Sequence, residues 1–128
     1  MSERLGDYYM SLDDTQWGEL VGARNLWGKT AAIVAYALFS RGDLPRVIGH
    51  LGHACVVALA DAFAHGALKY GKVGDWRNVP LDHHIQAAGR HFDAWLKDPN
   101  ARDAESGLTH EAHFLARAVM IQELRRIR

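Results

Sequence analysis

The sequence predicts an all-α protein, a compact bundle of about four helices. Three observations carry that reading. Apolar residues recur at spacings of three and four over long stretches. Val, Ile and Thr nowhere cluster with the two-residue alternation of a strand. The intervening segments are short or moderate and rich in turn residues, as bundle connections are. The chain has 128 residues, 48% of them hydrophobic and 23% charged, enough to build one core.

Residues 1–14 read as a loosely held tail. Ser11, Asp13, Asp14 and Thr15 are capping types ahead of a helix over about 15–40, with Trp17, Leu20, Val21, Leu26, Ala31, Val34, Ala35 and Leu38 on its apolar side. Gly18, Gly22 and Gly28 weaken it, and a break is expected near Gly28. Gly42 and Pro45 end it, and Pro45 suits the first turn of a second helix over about 45–69. There, Asp61 and His65 are four apart and share a face, as a ligand or acid–base pair or as a solvated pair. The segment 69–80 holds turn signals at Gly71, Gly74 and Pro80, with Lys69, Tyr70, Trp76 and Arg77 among them. Such a loop can stack a base and contact phosphate, or its tryptophan can cover the core. A third helix covers about 81–97 and a fourth about 106–126, the latter ending in cations that complement the helix dipole.

Charge and composition narrow the function. Lys plus Arg and Asp plus Glu number 15 each, so there is no electrostatic reason to propose nucleic acid or an anionic membrane as partner. The apolar stretches are too short to cross a bilayer, and the polar, acidic start has no signal-peptide pattern. The single cysteine, Cys55, reads as a buried thiol in a reducing, cytoplasmic setting. There is no phosphate-binding P-loop, no dinucleotide fingerprint, no zinc-binding CxxC and no nucleophile elbow.

The chemistry collects in DAESGLTHEAH, residues 103–113, and in Arg90-His91 upstream. His110 and His113, three apart on a helix, can aim two imidazoles at one point. Asp103 and Glu105 add carboxylates, and the set suits Mg²⁺ or Mn²⁺, the latter more tolerant of imidazole. Arg90 and Lys69 can neutralise phosphate oxygens. The alternative is helix capping by Glu105 and Ser106, followed by surface histidines.

The ordered set GALKYGKVGDWRNVP, AAGRHFDAW and DAESGLTHEAH resembles a phage and prophage family, that of the dATP/dGTP diphosphohydrolase N-terminal domain, related to the MazG-like all-α pyrophosphohydrolases. The resemblance covers about residues 46–125 and leaves 1–45 outside, as a tail and a helix packed into the same unit. It implies metal-dependent cleavage of a purine deoxynucleoside triphosphate to monophosphate and pyrophosphate. On the matching positions, His91, Glu105 and His110 are the expected catalytic residues. Asp103, Glu105, His110 and His113 are the expected ligands of Mg²⁺ or Mn²⁺. Lys69, Tyr70, Trp76 and Arg90 are the expected substrate contacts, the cations on phosphate and an aromatic ring on the base. The chain departs from the pattern where KDPN replaces a Gly-Glu, and where Arg117 replaces an Asn. The ExxE and ExxD metal motifs of MazG-like enzymes do not occur. A homo-oligomer is expected, because a small bundle often completes its site with a second subunit. Two other readings are a noncatalytic nucleotide-binding or scaffold protein, and an HD-type phosphohydrolase, against which the Asp82-His83 order is reversed.

Overall fold

The computed structural model describes residues 4–41, 53–70 and 75–126, excepting the side chains of 41, 53–55, 67–70 and 75. Six α-helices occur among them: α1 (Leu5–Met10), α2 (Asp14–Gly22), α3 (Thr30–Ala35), α4 (His53–Tyr70), α5 (Leu81–Lys97) and α6 (His110–Arg126). A π-helical turn, Tyr36–Arg41, prolongs α3, and a 3₁₀ turn, Asp75–Asn78, leads into α5. The described residues form no strand, so the all-α class holds. The expected turn and cap positions Gly42, Pro45, Gly71 and Gly74, and the side chains of Cys55, Lys69 and Tyr70, lie outside the described residues.

The helix expected over 15–40 is two helices. Asp13 starts α2 with a capping box: its carboxylate accepts from the Gln16 amide at 2.8 Å, and the Gln16 side chain accepts from the Asp13 amide at 2.9 Å. Asn25, at φ 55°, then takes the left-handed conformation that ends helices. Leu26 N–H returns to the Val21 carbonyl at 2.9 Å, and the chain re-enters a helix only at Thr30. The expected break near Gly28 is therefore a seven-residue corner.

The tail expected at 1–14 is instead a docked helix. Gly6 and Gly89 let α1 and α5 meet backbone to backbone. A Cβ on Gly6 would lie 2.4 Å from the Ile85 carbonyl oxygen, and one on Gly89 would lie 2.3 Å from the Gly6 nitrogen. Buried Gln86 ties the crossing, accepting from Gly6 N–H at 2.9 Å and donating to Asp7 at 2.9 Å. Tyr9 is buried behind it, and its hydroxyl donates to Asp93 at 2.9 Å. The sequence carries no local sign of this, because the small residues matter only once the two helices cross.

Aromatic rings build the main core. Phe92 of α5 sits between Tyr9, Trp17, Phe39 and Phe114, with ring centroids 4.9–6.3 Å apart. Phe92 and Phe114 are fully buried, each burial stabilising by about 1.5–3 kcal/mol. A second, smaller cluster of Ala62, Trp76, Ala116, Met120 and Leu124 fastens α4 and the 3₁₀ turn to α6. Contacts of residue 91 with 110, and of 84 with 117, show that α5 and α6 run antiparallel.

Gly89→Ala is expected to lower stability by about 1–3 kcal/mol, the cost of overpacking a close contact. Thermal denaturation followed by circular dichroism reads this. An unchanged melting temperature would show that α1 is not held against α5.

Candidate functional site

The polar residues of the α5–α6 interface share one line. On α5, His84 and His91 are seven apart; on α6, His110, His113 and Arg117 stand at helical spacing. α4 adds His65, and the 98–109 connection adds Asp103, Glu105 and Ser106.

That connection is not the first turn of a helix starting at 106. Asp103 N–H donates to the Leu108 carbonyl and Gly107 N–H to the Asp103 carbonyl, both at 2.8 Å. Gly107 closes the turn at φ 74°, a conformation costly for a residue with a Cβ. α6 begins only at His110, where Thr109 Oγ1 accepts from Ala112 N–H at 3.2 Å. Glu105 and Ser106 therefore do not cap it. Ser106 instead donates its backbone N–H to Asp103 Oδ2 at 2.9 Å, and its hydroxyl lies 3.1 Å from the same oxygen and 2.6 Å from His113 Nε2. One hydroxyl thus fixes both the carboxylate and the imidazole.

His91, Asp103 and His110 come together, with a ligand atom from each lying within 4.8 Å of the others. His91 Nδ1 and His110 Nδ1 are 3.0 Å apart. Two nitrogens on one ion at about 2.1 Å stand about 3.0–3.4 Å apart, so this spacing fits a shared metal. The donor set also fits, since two imidazoles and a carboxylate suit Mn²⁺ and its neighbours better than Mg²⁺. His113 stacks on His91, ring centroids 4.8 Å apart. Burial pushes the His91 imidazole down to about 3, and the neighbouring histidines add to the shift. Burial likewise lowers His113. Both rings are neutral at ordinary pH, with lone pairs available. Burial alone would raise the Asp103 carboxyl, but the Ser106 amide and hydroxyl and the adjacent imidazoles outweigh it and hold Asp103 below its usual value.

The remaining expected residues spread around this group. His113 lies 3.8 Å from Asp103 Oδ2 but is occupied by Ser106. Glu105 stands outside the trio, its side chain 59% exposed and 3.7 Å from His65 Nε2. His65 thus faces Glu105, not the exposed Asp61 with which its spacing paired it. Trp76 is 8% exposed and packs on Phe63 at 6.2 Å, with the Arg77 guanidinium 4.6 Å from the ring centre, so the ring belongs to the smaller core cluster. Arg90 is exposed and does not line the cavity beside the trio. Lys69 and Tyr70 occupy the last turn of α4.

That cavity holds about 60 Å³ and is lined by His65, His91, Asp103, Glu105, His113 and Arg117 among others. It has room for an ion with water, or for a phosphate group. Pockets that enclose whole small molecules are roughly 300–1,000 Å³. Two functional candidates were not apparent from single positions, His84 and Arg117. Arg117 Nη1 donates to His84 Nδ1 at 2.7 Å, and His84 Nε2 lies 2.9 Å from the Trp76 carbonyl. A guanidinium only donates. Nδ1 therefore carries the lone pair, and Nε2–H donates to Trp76. The seven-residue spacings 84/91 and 110/117 were the available signal.

Burial holds the His84 imidazole down at about 4, with the Arg117 charge adding to the shift. The unfolded ring binds a proton near 6.5, so the unfolded state takes up more protons between about 6.5 and 4. Stability is full above that window and falls as pH drops through it. His84→Gln keeps an acceptor and a donor without titrating. Chemical denaturation at pH 7.5 and pH 5 is expected to show a smaller loss in this variant than in wild type. Equal losses would contradict a neutral buried His84.

The family model described as dATP/dGTP diphosphohydrolase, N-terminal, matches residues 45–128. The chain belongs to that family. Neither a curated protein nor a solved structure matches it. No helix among the described residues is long and apolar enough to cross a membrane.

Proposed function

We propose that this member of the dATP/dGTP diphosphohydrolase N-terminal family cleaves dATP and dGTP to the monophosphate and pyrophosphate, in phage nucleotide metabolism in the host cytoplasm. The observation that carries the reading is the convergence of His91, Asp103 and His110 beside a phosphate-sized cavity. A divalent ion held by those three residues would polarise the phosphate and acidify bound water. Water oxygen adds to phosphorus, the bridging P–O bond between the α and β phosphates breaks, and the water proton passes to Glu105 on the cavity wall. His65 steadies the Glu105 carboxylate. Ser106 keeps Asp103 and His113 in register, so neither has to reorient during the step. Lys69 and Tyr70 supply contacts to the outer phosphate and the base. The cavity takes a phosphate group and not the nucleoside, so the rest of the substrate lies outside it, where a second copy of the chain completes the wall.

A second reading is favoured by a specific observation. The ExxE and ExxD carboxylates of MazG-like enzymes are missing from this chain, which suits a protein that binds nucleotide without cutting it.

Product analysis separates the two. Purified protein is incubated with dATP, dGTP and the other nucleoside triphosphates, with Mg²⁺, Mn²⁺ or EDTA. The hydrolase reading expects monophosphate and pyrophosphate only with metal, and an activity loss of about 100-fold or more in Asp103→Asn and His91→Ala. Nucleotide binding with no turnover across the panel would establish the noncatalytic reading instead. Ser106→Ala touches no substrate and is expected to reduce activity about 10–100-fold, as loss of an orienting partner does. Full activity in that variant would show that the Asp103–Ser106–His113 bonds do not position the site.

A further inference from the structure

We infer that Arg117, held by His84, is a phosphate-binding subsite in the wall of the cavity. The inference rests on the reading of that cavity as a phosphate site, and it goes beyond it by naming the cation. Arg117 is the one Lys or Arg among the described residues lining the cavity. It stands one turn beyond His113 on the same face of α6, so cation and imidazole reach the same space.

The way Arg117 is held matters. Its Nη1 donates to His84 Nδ1 at 2.7 Å, and the other edge of that ring is pinned to the Trp76 carbonyl at 2.9 Å. His84 is fully buried and cannot swing. A carboxylate in its place would orient the guanidinium and also cancel its charge. A neutral imidazole orients it and adds no charge of its own. The guanidinium has five donors in one plane, so the same group can serve His84 and a ligand together, with the fork geometry that suits phosphate oxygens. The trio's Asp103 and neighbouring Glu105 put two carboxylates in the cavity lining. A phosphate that enters needs a cation on the protein as well as an ion at the trio, and Arg117 is placed to be that cation. Of the two cations that the sequence suggested for phosphate, Arg90 does not line the cavity and the Lys69 side chain lies outside the described residues.

The ligand is a phosphoryl group, from free phosphate or pyrophosphate or from the polyphosphate of a nucleotide. Calorimetry with Mn²⁺ present measures binding of orthophosphate, pyrophosphate and dGTP to wild type, Arg117→Gln, Arg117→Lys and His84→Leu. Arg117→Gln is expected to weaken pyrophosphate binding at least tenfold, with partial recovery in Arg117→Lys. His84→Leu keeps the cation but releases it, and is expected to weaken binding several-fold. If dGTP competes with pyrophosphate, the subsite takes the nucleotide's polyphosphate; if only the inorganic anions bind, it takes the free anion. Unchanged pyrophosphate affinity in Arg117→Gln overturns the inference. A test on wild type alone guards against a variant that does not fold: the assigned Arg117 Nε–H resonance is expected to shift as pyrophosphate saturates, and a resonance that stays fixed also overturns it. Absence of turnover, with pyrophosphate binding that still depends on Arg117, would remove the hydrolase reading and keep the subsite. Turnover with Arg117-independent pyrophosphate binding would do the reverse.

Discussion

Imidazole rings packed half-buried between two antiparallel helices are the constraint on which the site depends. His91 of α5 stacks on His113 of α6 and meets His110 at 3.0 Å, in a space where burial disfavours a charged ring. Uncharged imidazoles must exchange hydrogen bonds or hold an ion, since a buried polar group without a partner costs about 1–3 kcal/mol. The surroundings answer this residue by residue. His113 has Ser106, His84 has Arg117 and the Trp76 carbonyl, and His91 and His110 have each other with Asp103 beside them. The last group is the one in which the partner is another acceptor-bearing ring, which is why the metal reading centres there.

The fold keeps those rings in place by packing on both sides. Phe92 and Phe114 follow His91 and His113 directly in sequence, so the turn that aims an imidazole at the site also buries a phenyl ring in the core. A shift of either helix would disturb both. The Gly6–Gly89 crossing holds the outer face of α5, and the Ala62–Ala116–Met120 cluster holds α4 against α6, which sets His65 opposite Glu105. Exposed pairs such as Arg4 with Asp7 and Asp82 decorate the first of these contacts but add little, being open to solvent.

Much of this was legible from periodicity. The extent read for α5 and the all-α class follow from apolar spacing, and Asp13 was visible as a cap because capping is local chemistry. α1 was not legible, because Gly6 gains its meaning from Gly89, more than eighty positions away. The start of α6 was misread because Glu105 and Ser106 are good capping residues; Gly107 and the Asp103 bonds turn them into a tight loop. In the site, the sequence offered Asp103, Glu105, His110 and His113 as ligands and His91 as a catalytic residue, and the grouping of His91 with Asp103 and His110 depends on how α5 and α6 pack. Trp76 was equivocal as a loop aromatic and proves to be core. Arg117 stands out in the sequence only as a departure from the family pattern, since one arginine on α6 has no signal until its seven-residue relation to His110 is drawn against that of His84 to His91.

The central claim, that two imidazoles and one carboxylate close on a single ion, is tested most directly by electron spin-echo spectroscopy of Mn²⁺ added to the full chain. The account predicts one tightly bound ion coupled to two histidine nitrogens, reduced to one in His91→Ala and again to one in His110→Ala. Bound Mn²⁺ without nitrogen coupling, or coupling unchanged in both variants, would contradict it.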